Sequence, residues 1–533
     1  MHHSLQITEV LSHIFEYAFN DEQGSQTIYA IALACQAFRD PALMILWRHM
    51  TSLVPLIKCF PSDLWEVRGG HELGTLVFTR ALLPSDFERV QPYARHIKYL
   101  NLEQDSDSDA HRRIRLSLIR PEVDPEIFRA IRLCQVTGPF LPNLLKLGIT
   151  ENQHDGLENV QLFIGTKLIA FFLQFSAINC DESTGAAVLT ALKSKSPLLE
   201  ELEISAGPQT SLTLSFALSD LLCGLKHLKS FSSPCIALTN AALGHLASLP
   251  ALRLLGLGIQ NEELFTPMPV VPTIQAFPAL REITIWARHL ANAVDMIGFI
   301  CSSALEVAIF HIETPPSASL IHHLFLKLLE NCSSASLTRI YGFQDDFTAE
   351  WNEGDNYVDI DNFRPLLSFS NLEYVWINAC ISFELVDDAL IRDVAMAWPN
   401  LRQLDFGSMS CWGLSSRVTL AGLVPLCNNC PNLQVLGLTL DTSMPIRYPA
   451  VDPLRRGPYN DQMHTLQVGH SSIDRTHVGA VAAFLSRLYP NLMEIITWDR
   501  MGNGDEALEG SRDLWVEVAG LILHREGRGS AQQ

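Results

Sequence analysis

Basic residues are scarce. The chain of 533 residues has 38 Lys+Arg against 58 Asp+Glu, a formal charge of −20. A nucleic-acid partner needs a basic footprint to release counterions from the phosphates, so the acidic balance argues against that class. Long charge-free apolar runs are missing too. The most apolar long stretch, about 290–310, is interrupted by Asp295 and Glu306, and no run reaches the roughly 18 residues that a membrane span needs. The first 30 residues lack a basic segment followed by an uninterrupted apolar one, so no secretory signal is expected. The 12 Cys are scattered and read as buried thiols of a cytoplasmic or nuclear protein. What the chain does have is core material. Apolar residues are 47% and charged residues only 18%, a globular balance.

Catalytic signatures are also lacking. There is no G-x-S-x-G, no G-x-x-x-x-G-K-[ST] and no H-E-x-x-H. Cys427-x-x-Cys430 is a lone pair without the second pair or His partners that zinc requires. His322 and His323 are helix neighbours and point apart. Gly502-x-Gly504-x-x-Ala507 has no following βαβ unit and reads as a polar C-terminal loop. No enzyme, metal or cofactor is expected.

One phrase recurs. It reads LPNLLKLGI at 141–149, LPALRLLGL at 249–257, FPALREITI at 277–285, WPNLRQLDF at 398–406 and CPNLQVLGL at 430–438. The frame is L-x-x-L-x-L. Its first position falls at Leu144, Leu168, Leu199, Leu228, Leu252, Leu280, Leu305, Leu337, Leu372, Leu401, Leu433, Met463 and Leu492. An earlier copy starts at Ile97, and Leu228, Leu305 and Leu337 are weak copies. From 144 to 492 is 348 residues over 12 steps, a mean of 29. Alternation at the fourth and sixth positions predicts a short strand buried on one face. The intervening segments predict helices, such as the stripe Val478, Val481, Leu485 and Leu488 with Asp474 as N-cap. A single unit cannot bury its own core, whereas stacked copies can.

This pattern resembles the leucine-rich repeat family in a long, irregular form. Asn152 and Cys380 stand at the family's polar ninth position. The resemblance implies an α/β fold, a curved solenoid with parallel strands on the concave face and helices outside, over residues 94–500. An all-helical solenoid is the runner-up architecture. Residues 344–361, which carry seven acids and no base, read as an inserted exposed loop, with a contact for a basic substrate segment as the alternative; the acidic serine run Asp105–Asp109 reads as a surface loop. Residues 51–93 are expected to be a helical linker and solenoid cap, and 501–533 a C-terminal cap and polar tail.

Residues 1–50 depart from the repeat and predict three short helices, TEVLSHIFEYAF, TIYAIALACQAF and PALMILWRHM, the last with Pro41 at its first position. The order Leu5-Gln6, Glu9, Ile14-Phe15, Ala34-Cys35-Gln36-Ala37-Phe38 and Leu46-Trp47-Arg48 resembles the F-box, as found in fungal F-box proteins; Gln6 and Gln36 stand where that family has Pro and Arg. The resemblance implies docking to a Skp-type adaptor and, through it, a cullin, with the repeats selecting a protein for ubiquitination and no catalysis in the chain itself. Leu5, Ile7, Leu11, Ile14, Leu33, Cys35, Phe38 and Trp47 are then the residues expected to form or support the adaptor surface. A helical cap on a leucine-rich scaffold without ligase association is the alternative.

Strand alternation places the fifth and seventh residues of each phrase on the exposed sheet face. Most copies offer small or polar residues there. The middle ones offer Trp286, Ile309, His311, Tyr341, Phe343, Trp376 and Asp405, the candidate substrate-binding patch.

Overall fold

The computed structural model describes residues 8–20, 24–69, 74–102, 122–134, 138–151, 157–175, 182–207, 211–259, 276–342, 357–378, 381–408, 416–443, 459–497 and 506–529. The chain divides into two compact units, Met1–Leu249 and Pro250–Gln533. The repeating phrase runs through both and gave no sign of this division.

In the first unit six strands pair in parallel: His49–Met50, Tyr99–Leu102, Lys146–Glu151, Ala170–Phe175, Glu201–Ser205 and Ser230–Ser233. In the second, nine strands do so, from Leu254–Ile259 to Glu494–Thr497. Consecutive phrases are nearest neighbours throughout each unit. The fold is therefore α/β with parallel strands and intervening helices, not an all-helical array. Residues 51–93 are not wholly helical. Trp65–Arg68 and Thr75–Phe78 form an antiparallel pair, extended by Glu122–Val123.

Each phrase anchor does one job. Ile97 and every anchor from Leu144 to Leu492, the three weak copies included, are at most 2% exposed. Each stands two residues before the first residue of a strand. The core side of the second sheet is then a register-matched row running from Leu255 through Ile283, Ala308, Ile340, Val375, Leu404 and Leu436 to Leu466. Burying such side chains stabilises by roughly 1.5–3 kcal/mol apiece. The Asn of the phrase ties copies together. The Nδ2 atoms of Asn143, Asn371 and Asn491 donate to the carbonyls of Arg95, Ala335 and Asp461 in the preceding copy, at 2.7–2.8 Å. A polar side chain beside a buried Leu thus satisfies backbone that would otherwise be orphaned.

Helix starts follow local chemistry. Thr239, Ser317 and Asp387 accept from backbone N–H groups of the first turn. Asp474 does not cap its helix. It bonds Thr476 in a preceding turn, and the helix begins at Val478. Its stripe Val478, Val481, Leu485 and Leu488 is buried as expected.

Gly502 and Gly504, expected in a polar loop, lie outside the described residues, and a helix follows them. Glu506–Gly529 is a 24-residue helix. Trp515, Val518 and Ile522, spaced i, i+3 and i+7, are buried, and the Trp515 indole N–H donates to the Ser471 carbonyl at 2.9 Å.

Candidate interaction surfaces

The head consists of Thr8–Phe19, Gly24–Ala34 and Gln36–Leu46. Extended Cys35 (φ −158°) separates the last two. Pro41 therefore lies inside the third helix rather than at its start, which removes one helical hydrogen bond. Leu11, Phe15, Ile28, Ala42 and Ile45 form a closed core, with Phe38 packed on it. Phe38 meets Phe15 edge to face at 5.7 Å. Trp47 lies against Tyr93 at 5.0 Å.

Leu11, 3% exposed, is thus an internal residue and not part of an accessible surface. It sits on the side of its helix that three packed helices must fill. Phe38 likewise works from beneath. Leu5 and Ile7 lie outside the described residues. Cys35 and Trp47 are half-buried. Of the residues expected on the surface, Ile14 (45% exposed) and Leu33 (70%) are there. They are joined by Tyr17 (86%) and Tyr29 (61%), which sequence reasoning passed over. The signal was present: Tyr17 is three residues from Ile14 and Tyr29 four from Leu33, spacings that share a helix face.

On the second unit's sheet, the residues opposite the core row also fall in register. Thr284, Ile309, Tyr341, Trp376, Asp405 and Gly437 make one row across adjacent strands. Trp286 and His311 pair in the next row and stack at 5.4 Å with ring planes 6° apart. Trp286, Ile309, His311, Tyr341 and Trp376 are all half-buried. The Arg339 guanidinium lies over the Tyr374 ring at 5.0 Å. Burial pushes the Tyr341 hydroxyl above its ordinary pKa, with Arg339 opposing. Gly342 takes a core-side place beside Phe310, 3.8 Å from where a Cβ would sit, so the copies at Leu305 and Leu337 remain in phase. Phe343 lies outside the described residues, as do Asn152, Cys380 and 344–356.

No protein-family profile matches this chain, and no curated protein does. Among solved structures it is similar to the TLR13–ssRNA13 complex, at 13% identity and a TM-score of 0.34, over 79% of this chain and 62% of that one. It is also similar to the glycosylated Toll–Spatzle complex from Drosophila, at 10% identity and a TM-score of 0.30, over 82% and 56%. The chain spans less than two thirds of either. Neither likeness says what this chain binds.

Asp405 departs from its expected role. It is fully buried and cannot meet a partner directly. The Ser408 backbone N–H donates to Oδ1 at 2.9 Å and the Ser408 hydroxyl lies 2.7 Å from Oδ2. The Trp376 indole also bonds it. Gly437 stands beside it, and a Cβ there would meet the Asp405 carboxyl carbon at 2.5 Å. Burial raises the carboxyl to about 6, while the bonds from Ser408 and Trp376 pull it back. Asp405 is a buried register neighbour of Trp376 in this row.

The other candidate residues sit in structural surroundings. Cys427 and Cys430 are buried with free thiols, and burial pushes both up to about 12, against thiolate formation. His322 bonds the Asp361 carbonyl. No group of His, Cys, Asp or Glu able to hold a metal is found among the described residues. No described helix is long and apolar enough to cross a membrane.

Proposed function

We propose that the chain is the substrate-recognition subunit of an SCF-type cullin–RING ubiquitin ligase. The head docks on a Skp-type adaptor, and the aromatic row of the second unit takes the protein substrate. The observation that carries this reading is the exposure of Ile14, Tyr17, Tyr29 and Leu33 on a three-helix unit. So much apolar surface on so small a unit calls for a partner, and the F-box resemblance names its kind. Trp286, Ile309, His311, Tyr341 and Trp376 supply the half-buried aromatic and aliphatic anchors typical of protein interfaces.

A leucine-rich interaction scaffold without ligase association is the second reading. It is favoured by the continuity of the head with the sheet: His49–Met50 pairs with Tyr99–Leu100, and Arg48 binds Glu16 at 2.6 Å.

Co-expression with a Skp-type adaptor separates the two. The full chain should co-purify with the adaptor, and Ile14→Asp with Leu33→Asp should abolish this while leaving circular dichroism and thermal unfolding unchanged. Both side chains are exposed, so the changes bury a carboxylate only in the complex. Failure of the unaltered chain to bind favours the scaffold; survival of binding in the double variant would show that Ile14 and Leu33 are not the docking surface.

A further inference from the structure

The first unit carries a cavity of about 660 Å³ on the open face of its sheet, lined among others by His49, Tyr99, Asn101, Gly148, Phe172 and Glu203. Its floor is the row Asn101, Gly148, Phe172 and Glu203, which are in register on four adjacent strands. Gly148 makes the hollow. A Cβ there would come within 2.4 Å of Asn101 Oδ1, so only glycine leaves both the notch and the Asn101 amide in place. The size suits a drug-sized ligand or one long side chain with its flanking backbone.

The charges lining the cavity decide which. Lys146 is spent: it reaches across Ala170 to Glu201, with its Nζ 3.0 and 2.9 Å from the two carboxylate oxygens. His49 is stacked on Tyr99 at 4.4 Å; burial, then the Arg48 charge, lowers its pKa, so it adds no positive charge at neutral pH. Glu203 is exposed and makes no ion pair with a described residue. Among the described residues the cavity thus holds one negative charge without an ion-pair partner, next to the half-buried Phe172 ring. Gln174 and Ser205 add acceptors at the edge.

We infer that this cavity binds a cationic side chain, the arginine or lysine of a partner peptide. Glu203 takes the charged head, Phe172 the stem or the guanidinium plane, and the Gly148 notch the backbone beside it. An aromatic face within about 6 Å of a cation adds attraction to the carboxylate's. The net charge of −20 draws such a partner in. This site belongs to the first unit alone and stands whether or not the head binds an adaptor.

The test is calorimetry on the full chain with acetylated, amidated pentapeptides Ala-Gly-Xaa-Gly-Ala, in which Xaa is Arg, Lys, Gln or Glu. The Arg or Lys peptide should bind at least tenfold more tightly than the Gln peptide, and the Glu peptide not at all. Glu203→Gln should cut that preference at least fivefold with thermal unfolding unchanged. Gly148→Leu should remove binding; where it also lowers stability, Glu203→Gln alone decides. Equal behaviour of the Arg, Lys and Gln peptides, including no binding by any, overturns the inference. So does a preference for cations that survives Glu203→Gln.

Discussion

Asp405 offers a perturbation whose size follows from its surroundings. Its carboxyl titrates at about 6 in the fold against 3.8 in an unhindered chain. The native state therefore holds a proton that the unfolded chain has released, and stability falls as pH rises through this window. The difference of about 2 units corresponds to about 3 kcal/mol between pH 3 and pH 8, at 1.36 kcal/mol per unit. Roughly half of that accrues between pH 5 and pH 8. The Ser408 hydroxyl lies within reach of both Asp405 Oδ2 (2.7 Å) and Gln467 Oε1 (3.0 Å), and its single proton cannot serve both. A protonated Asp405 donates to Ser408 Oγ, freeing that hydroxyl for Gln467. Asp405→Asn removes the titration and keeps the volume. Urea unfolding followed by tryptophan fluorescence, run on both proteins from pH 4 to pH 8, should show the wild type losing about 2 kcal/mol relative to the variant. Parallel pH profiles for the two would refute the assignment of a buried, proton-holding carboxyl.

Three further outcomes are expected. Trp376→Ala should weaken substrate capture and also lower stability by about 1–3 kcal/mol, because it strips a donor from a buried carboxylate; Tyr341→Ala should weaken capture with less than about 1 kcal/mol lost. Unfolding curves and pulldowns on the pair check both, and equal stability losses would place Tyr341 in the core. Trp515→Ala should cost about 3–5 kcal/mol and raise hydrogen exchange over Glu506–Gly529; an unchanged melting temperature would show that this helix does not close the unit. Leu305→Ala should cost about 2–5 kcal/mol, as at a strong anchor; a loss below 1 kcal/mol would mean that this copy is not a full repeat.

The strands were legible because each is announced by a buried apolar anchor two residues earlier, a short-range signal that survives even where the phrase is degenerate, as at Leu228 and Leu337. A C-terminal cap was expected over 501–533 but its helix was not, because the stripe Trp515, Val518 and Ile522 is only three residues in a segment rich in charge. Asp405 was misjudged for a different reason. Alternation correctly put it on the open face, but its burial comes from Trp376, Ser408 and Gln467, and neither the turn after its own strand nor the neighbours on other strands can be read from a period of two. The head shows the same limit: the apolar stripe of Thr8–Phe19 holds both Leu11 and Ile14, and only the packed third helix decides which points inward.

The fixed two-residue offset between anchor and strand has a consequence for how such a chain can change. Steps between anchors run from 24 to 35 residues from Leu144 to Leu492, and 47 from Ile97 to Leu144, yet the interval from anchor to strand never varies from Ile97 to Leu492. Length changes are thus confined to the stretch between the end of one strand and the next anchor. An insertion there shifts no pairing and rotates no side chain to the opposite face, whereas one extra residue between anchor and strand would invert every position of that strand. The molecule separates a part that must be spelled exactly to the residue from a part that is free to grow. New recognition loops can therefore arise in one copy without renegotiating the hydrogen bonds of any other.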